Sequence, residues 1–190
     1  MKKILVVGTK ETNKLPLVES AIRGIMNGGN VGHINLNKLS AIKAYTGNGS
    51  LQDIYISLYD ELDRKLEAMG SNGASTVVIE SYYTLDTHSG FVPLLTDRFF
   101  KLFKPDSIVL LENTEESLKN IKESTLLKDQ QKVNREHGVR HSSTFGAPLK
   151  TISVNPLQQA VAVRDIQDAI RSQPTKQLNN GLLKAVLERR

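Results

Sequence analysis

Short apolar runs alternate with longer segments of helical periodicity along most of this chain. The runs have the length of strands and lie at residues 2–7, 31–39, 76–80, 107–112 and 148–154. Neighbouring parallel strands need a long crossover between them, and a helix usually provides it. The alternation therefore predicts an α/β fold in which a parallel sheet carries helices on both faces.

The predicted helices fill most of the intervals between these runs. The clearest one spans Leu51 to Met69, where apolar residues mark one face and charged residues the other, and Ser50 precedes it as a candidate N-cap. Further helices are predicted after Pro16, from Thr114, and over residues 97–103, 126–145 and 157–171. Residues 81–89 are polar and are predicted to form a loop.

The turn after the first strand keeps the frame of a phosphate-binding loop. That motif is Gly, four residues, Gly-Lys and then Ser or Thr, and its backbone N–H groups surround phosphate oxygens. Gly8 opens the frame and Lys14 stands at the lysine position, while Asn13 replaces the second Gly and Leu15 replaces the hydroxyl. Asn tolerates a positive φ, so Asn13 weakens the loop without excluding its conformation. Leu15 cannot bind Mg²⁺, and the metal would need water or another oxygen.

Two interpretations of this loop follow from its residues. In the first, Lys14 pairs with a phosphate, although Glu11 adds a negative charge where phosphates would lie. In the second, the segment is an ordinary strand, turn and helix with a surface lysine. The loop alone favours the second interpretation, because short motifs often match by chance.

The composition constrains the number of domains and the cellular location of the protein more than its chemical activity. The 190 residues fit one domain, placed at 1–171, followed by a C-terminal extension with a short helix at 172–190. Without cysteine or an apolar run of membrane length, the chain is predicted to be cytoplasmic and to have no membrane partner. A net charge of +5 and a pI near 9.4 suit an anionic ligand or nucleic acid, but the absence of Trp leaves little for base stacking.

Two histidine patterns in the sequence have spacings that occur in metal sites. His137 and His141 lie one helical turn apart, which is the spacing of a zinc pair, and Asp86 stands two residues before His88. Neither pattern has an identifiable third ligand. The sequence therefore predicts no metal bound by protein side chains alone.

The middle and C-terminal parts of the chain resemble archaeal-type adenylate kinases. That family has a strand ending in Asp-Thr-His, then Ser-Gly-Tyr-Leu-Pro-Gly-Leu-Pro, a helix, Asn-Pro-Asp and an aliphatic strand ending in Glu, and later Asn-Arg and Thr-Gly-Ala-Thr-Val-Lys. The corresponding segments here are Val78-Ile79-Glu80-Ser81-Tyr82, Ser89-Gly90-Phe91-Val92-Pro93-Leu94-Leu95, Lys104-Pro105-Asp106, the strand ending at Glu112, Asn134-Arg135 and Thr144-Phe145-Gly146-Ala147-Pro148-Leu149-Lys150. The similarity covers most of residues 1–171 and leaves the extension unmatched.

The resemblance implies a three-layer P-loop nucleoside monophosphate kinase fold that uses ATP and Mg²⁺. It places Lys14 and Arg135 among the catalytic groups and Glu80 beside the metal and the monophosphate. The other nucleotide-binding positions that it implies are Gly8, Thr9 and Asn13 at the ATP phosphates, Ser89 and Gly90 in the acceptor pocket, and Gly146 and Ala147 beneath the adenine. Family members are commonly trimers, which implies a homo-oligomer here.

The chain departs from the family where phosphoryl transfer needs cations. The family's lid carries several arginines after the strand that ends in Glu, whereas the segment from Glu112 to Gln131 contains no Arg and has lysines instead. A lysine cannot reproduce the bidentate grip of arginine on phosphate. Tyr82 also stands where the family has His. These departures predict impaired or lost transfer, with ATP and Mg²⁺ binding weakened by Asn13 and Leu15.

Three hypotheses for function remain. The first is a kinase-related protein that binds a nucleotide, a protein or RNA with little or no catalysis, and we favour it. The second is an active nucleoside monophosphate kinase that converts ATP and AMP to two ADP or uses a related acceptor. The third is a nucleic-acid- or ribosome-associated module that uses a basic patch of Arg135, Arg140, His141, Lys150, Arg189 and Arg190.

Overall fold

The computed structural model describes residues 1–25, 30–39, 51–87, 90–119 and 123–172. Its strands are Lys2–Gly8 (β1), Val31–Asn35 (β2), Thr76–Tyr82 (β3), Thr84–Thr87 (β4), Gly90–Pro93 (β5), Ser107–Asn113 (β6) and Leu149–Val154 (β7). Its α-helices are Lys14–Arg23 (α1), Leu51–Ser71 (α2), Asp97–Phe103 (α3), Glu115–Leu118 (α4), Ser124–Phe145 (α5) and Gln159–Arg171 (α6). Short 3₁₀ helices lie at Leu36–Lys38 and Pro156–Gln158.

The central sheet has five parallel strands in the spatial order β2-β3-β1-β6-β7. β1 is the middle strand, and its side chains from Ile4 to Val7 are completely buried. A two-stranded antiparallel hairpin of β4 and β5 follows the end of β3. The parallel sheet predicted from the alternation of strands and helices is therefore confirmed.

Two apolar clusters, one on each face of the sheet, make the fold three-layered. Ile4 and Val6 of β1 point to the face covered by α1 and α6, while Leu5 and Val7 point to the face covered by α2 and α3. This alternation is the two-residue period of a strand that is buried on both faces. Among helices within the described ranges, none combines the length and apolar character needed to cross a membrane.

The prediction of a polar loop over residues 81–89 is wrong for most of that segment. β3 continues through Tyr82, and the next residues form β4. The Thr84 side chain of this strand is buried against α5: its hydroxyl donates to Asn134 Oδ1 at 2.8 Å and lies 3.2 Å from Gln130 Nε2. The polar residues of this segment suggested a loop. Their burial was not visible in the sequence, because the hydrogen-bond partners of Thr84 lie 46 and 50 residues later in the chain.

Two elements have boundaries in the structure that differ from the predicted ones, because asparagine side chains start 3₁₀ turns there. β2 ends at Asn35, short of the predicted Leu39, since the Asn35 side chain accepts a hydrogen bond from the N–H of Asn37 at 2.9 Å. Asn155 makes the same contact with the N–H of Leu157, also at 2.9 Å, and α6 begins at Gln159. Such local side-chain bonds compete with regular structure.

The remaining helix predictions agree with the structure within a few residues. Thr114 caps α4 as predicted, with its hydroxyl accepting from the N–H of Ser117 at 3.2 Å, but this helix ends at Leu118. The predicted cap at Ser50 and the extension beyond residue 172 lie outside the described residues.

Replacement of Gly8 by Ala tests how tightly the end of β1 packs. A Cβ at Gly8 would lie 2.7 Å from the Leu111 carbonyl oxygen and 2.9 Å from Thr12 Oγ1, so the backbone would have to shift. We expect Gly8→Ala to lower the free energy of unfolding by about 1–3 kcal/mol, measured by urea denaturation. Gly70→Ala is the control, because open space surrounds this exposed helical position, and Ala there should raise stability by about 0.5–1 kcal/mol. A Gly8→Ala variant as stable as the wild type would contradict the tight packing.

Candidate phosphate-binding site

The turn that follows β1 lies where ligands usually bind in an open parallel sheet. The chain leaves β1 and returns in β2 on one side, whereas it leaves β6 and returns in β7 on the other side. Between strands whose connections diverge in this way, the carboxyl ends of the strands border a crevice. Residues 8–14 connect β1 to α1 at this position, and we call them the loop.

Lys14 is the central group of the loop and is not a surface lysine. Its side chain is only 3% exposed, and its ammonium donates to the carbonyl oxygen of Thr9 at 2.5 Å and lies 3.4 Å from that of Gly8. The ring of Tyr82 lies beneath the ammonium, with 4.3 Å between Nζ and the ring centroid. Tyr82 is the β3 partner of Gly8 in the sheet register, which explains why the ring reaches the loop.

Burial governs the charge of this lysine. Removal from water lowers the pKa of Lys14 from 10.5 to about 7, although the nearby carboxylates of Glu80 and Glu11 act to raise it. Neutral carbonyl oxygens and an aromatic ring therefore replace water only in part. An anion bound at the loop would supply the missing countercharge.

The backbone of the loop has the conformation that the second Gly normally provides. Asn13 has φ 45° and ψ 50°, in the left-handed region that Asn tolerates, and its side chain makes no capping hydrogen bond to α1. Thr12 donates its hydroxyl to the Thr9 carbonyl oxygen at 2.8 Å. The Thr9 hydroxyl oxygen is buried without a hydrogen-bond partner in the described part of the chain. Sequence reasoning missed Thr12, although its hydroxyl inside the motif frame was visible.

Glu80 lies beside the loop as a buried carboxylate of β3. It is 2% exposed, accepts from Asn35 Nδ2 at 3.2 Å, and has His33 Nε2 3.3 Å from its Oε2 atom. Both partners belong to β2, the neighbouring strand. The sequence analysis singled out Glu80 but missed His33 and Asn35, because β2 gave no motif.

Arg135, a predicted catalytic residue, is engaged by the acid that ends the aliphatic part of β6. Its Nε and Nη2 atoms donate to the two carboxylate oxygens of Glu112 at 3.0 and 2.6 Å. These hydrogen bonds raise the pKa of Arg135, and its side chain is 60% exposed. Glu112 is largely buried, so this bidentate pair joins α5 to the sheet.

The other predicted site residues divide between the two edges of the sheet. Gly90, with φ 105°, begins β5 in the hairpin that follows β3. Gly146, with φ 70°, ends α5, and Ala147 is buried just before β7. This pair precedes the first residue of β7, at the amino edge of the sheet and opposite the loop, so the structure does not bring it to the loop. Ser89 lies outside the described residues.

The predicted basic patch is largely neutralised by acids in the structure. Arg135 pairs with Glu112, Arg140 Nη2 lies 2.6 Å from Asp97 Oδ1, and Lys150 Nζ lies 3.9 Å from Asp165 Oδ1. Arg189 and Arg190 lie outside the described residues.

The histidine pair on α5 belongs to a buried aromatic cluster. His141 is 1% exposed, with Nδ1 2.8 Å from the Tyr83 hydroxyl and Nε2 3.0 Å from Asp97 Oδ1. The rings of His137 and Tyr83 stack nearby, and burial lowers the pKa of His141 below its usual value. Over the described ranges, His, Cys, Asp and Glu form no group that could hold a metal ion.

Lys14→Met tests the buried charge through the pH dependence of stability. The folded pKa of about 7 lies below the usual 10.5, so the unfolded chain holds more protons between these values and wild-type stability rises with pH across that window. Below pH 7 the buried charge costs up to about 5 kcal/mol, and Met, which keeps the length of the stem, avoids this cost. In urea denaturation from pH 6 to 10, the free energy of unfolding of Lys14→Met should therefore exceed that of the wild type most at low pH. The difference between the two proteins should shrink above pH 7. The control is Lys101→Met at an exposed position, whose free energy of unfolding should differ from that of the wild type by the same amount at every pH. A pH-independent difference for Lys14→Met as well would contradict the burial of a charge.

Comparisons with known proteins support the fold. No protein-family model matches the sequence, and no curated protein matches it. A crystal structure of an apo GTPase from Pyrococcus abyssi matches with a TM-score of 0.53 at 14% identity, over 90% of this chain and 75% of that one. Thymidylate kinase from Candida albicans matches with a TM-score of 0.53 at 14% identity, over 89% of this chain and 90% of that one. The chain has a three-layer α/β fold like that of P-loop nucleoside monophosphate kinases.

Proposed function

We propose that this protein binds a nucleotide through its phosphates at the loop and carries out little or no phosphoryl transfer. The observation that carries the proposal is the buried Lys14 ammonium, whose oxygen contacts are uncharged carbonyls at the carboxyl end of the central strand. Phosphate oxygens would replace these weak partners with charge-assisted hydrogen bonds, which are stronger than neutral ones. The resemblance to archaeal-type adenylate kinases favours ATP as the nucleotide.

The impairment follows from the groups that phosphoryl transfer requires. Catalysis of this reaction depends on cations and Mg²⁺ placed around the transferred group. Leu15 occupies the position of the metal-binding hydroxyl, and Arg135 is already held by Glu112 in a bidentate pair. The carboxylate of Glu80 is likewise engaged by Asn35 and lies close to His33. Among the described residues, the oxygen donors beside the loop thus do not form a magnesium site.

The second candidate is an active kinase, and the cavity beside the loop favours it. This cavity has a volume of about 390 Å³ and shares Lys10, Glu11 and Tyr82 with the loop or its contacts. A kinase needs space for a phosphate acceptor at this place. Both candidate functions require a nucleotide at Lys14. They are therefore distinguished by the rate of turnover and not by nucleotide binding.

Nucleotide binding is tested by calorimetric titration of wild type and Lys14→Met. The ligands are ATP with and without Mg²⁺, ADP, AMP and diadenosine pentaphosphate. We expect ATP to bind the wild type, and Lys14→Met to bind at least about tenfold more weakly, because a charge-assisted hydrogen bond contributes about 1.5–3 kcal/mol. Lys101→Met should bind like the wild type. Equal ATP affinity of wild type and Lys14→Met would refute the loop as the site.

Turnover separates the two candidates once binding is established. In a coupled assay with ATP, AMP and Mg²⁺, we expect fewer than about 0.01 turnovers per second, compared with about 1–100 for kinases. A rate in the kinase range that Lys14→Met abolishes would establish the active kinase instead.

Binding of ATP should also be linked to uptake of a proton by Lys14. The phosphates restore the pKa of this group from about 7 toward its usual 10.5, so at pH 8 the protein should take up about one proton per ATP bound. ATP affinity should then fall by up to about tenfold per pH unit between pH 7.5 and 9.5. Calorimetry in two buffers with different heats of ionisation measures the uptake. Binding without proton uptake at pH 8 would show that Lys14 stays charged in the free protein or does not meet the phosphates.

A further inference from the structure

The helices α2 and α3 leave an apolar groove between them on one face of the sheet. Side chains at helical spacing line it, namely Tyr59, Leu62 and Leu66 of α2 and Phe99, Leu102 and Phe103 of α3. We call this lining the α2–α3 groove. Its volume of about 220 Å³ is below the range of small-molecule sites, so the groove suits a few protruding side chains better than a whole ligand.

The groove leaves one large apolar side chain in water. Leu102 is 60% exposed, whereas Phe99 and Phe103 on the same helix are buried. A single exposed leucine is ordinary on a protein surface, but this one extends an apolar groove. An amphipathic helix binds such a groove through apolar residues at helical spacing.

The chain leaves its last described helix at the edge of the sheet where α3 ends. The Lys2 ammonium donates to the carbonyl oxygens of Ile170, at 2.8 Å, and of Ser172. The Lys3 ammonium donates to the carbonyl oxygen of Phe103 at 2.9 Å, and Phe103 lines the groove. Because Lys2 and Lys3 are consecutive residues of β1, the ends of α6 and α3 lie at the same edge of the sheet, one on each face.

The extension after Ser172 is long enough to pass from one face to the other. The two lysine contacts make the path from Ser172 to Phe103 roughly 20 Å when both side chains are extended. Residues 173–181 can span up to about 30 Å, at about 3.4 Å per residue. The segment that follows them can therefore reach the groove.

That segment has the apolar pattern that the groove requires. Leu182, Leu183, Val186 and Leu187 fall on one side of the helix predicted for the extension, because the last three follow the first by one, four and five residues. A helix of this kind places two or three of these side chains in a groove at once.

The charges favour the same pairing. Asp60 and Asp63 of α2 border the groove, are exposed, and have no ion pair within the described part of the chain. The extension is basic, with Lys176, Lys184, Arg189 and Arg190 against Glu188. Opposite charges at the rim of an interface direct the two surfaces toward each other.

We propose that the C-terminal extension docks in the α2–α3 groove of its own chain, with the apolar residues of 182–187 on Leu66, Leu102 and Phe103. This docking goes beyond the nucleotide binding proposed at Lys14. It is measured without nucleotide, so either proposal can fail alone.

A spin label on the extension of the full chain tests the docking. The sequence contains no cysteine, so Glu188→Cys gives a single attachment site, and position 188 lies opposite the apolar side of the predicted helix. With a nitroxide attached there, we expect strong broadening of the amide NMR resonances of Leu66, Leu102 and Phe103, compared with the same sample after reduction of the label. Amides at the beginning of α6, on the other face of the sheet, should keep their intensities.

Glutamate substitutions at two exposed leucines locate the contact. Leu102→Glu places a charge in the groove and should lower the relaxation enhancement at Leu66 by at least about tenfold, because an unpaired charge opposes the docking of apolar side chains. Leu157→Glu adds the same charge outside the groove, at a leucine that is 88% exposed, and should leave the enhancement unchanged. Because both leucines are exposed, both variants should fold.

A mixed sample identifies the occupant of the groove. Isotope-labelled wild type is combined with an equal amount of Glu188→Cys that carries the nitroxide and no isotope. Docking within one chain leaves the wild-type resonances sharp. Broadening of the groove resonances in this mixture would assign the groove to the extension of a second copy and overturn the proposal. Unbroadened groove resonances in the first sample, or broadening that survives Leu102→Glu, would overturn it as well.

Discussion

The burial of one ammonium group at the carboxyl edge of the sheet is the constraint on which the rest of the site depends. Lys14 can lie there only because β1 ends in Gly8, whose missing side chain lets the loop approach β6, and because Tyr82 follows in register on β3. Loop carbonyls and the Tyr82 ring then surround a charge that water would otherwise solvate. The desolvation of this charge lowers the pKa of Lys14 to about 7.

Polar side chains of α5 attach this long helix to the sheet through hydrogen bonds and an ion pair. Gln131 bonds the backbone of Asn113 in both directions, at 2.7 and 3.3 Å, and Arg135 holds the carboxylate of Glu112. Asn134 and His141 reach the root of the hairpin through Thr84 and Tyr83. Because a buried polar group must find a partner, these contacts determine how α5 lies on the sheet. The Arg135 guanidinium therefore has a structural role in attaching α5 to the sheet.

The fold was predictable where the physics is local, and the site was predictable only in part. Apolar runs and helical periodicity gave the parallel sheet, and the motif frame located Gly8 and Lys14. Burial of Lys14 was not visible, because it depends on Tyr82 from a distant strand. The strand β4 was missed for the same reason, since distant partners on α5 bury the hydroxyl of Thr84. The family resemblance implied that Gly146 lies beneath the adenine, and the direction of β7 places Gly146 at the amino edge of the sheet.

Tyr82 contacts the Lys14 ammonium and also lines the cavity beside the loop. The Lys14 ammonium lies over its ring, and the same residue lines the cavity together with Glu11 and Asp86. A ligand that displaced the ring would also change the surroundings of the ammonium, and the two places would then be coupled. Such coupling is reciprocal, and its sign depends on whether the ring moves toward the lysine or away from it. A single phenol ring thus borders both the loop and the cavity, so that a ligand in either place would meet the same side chain.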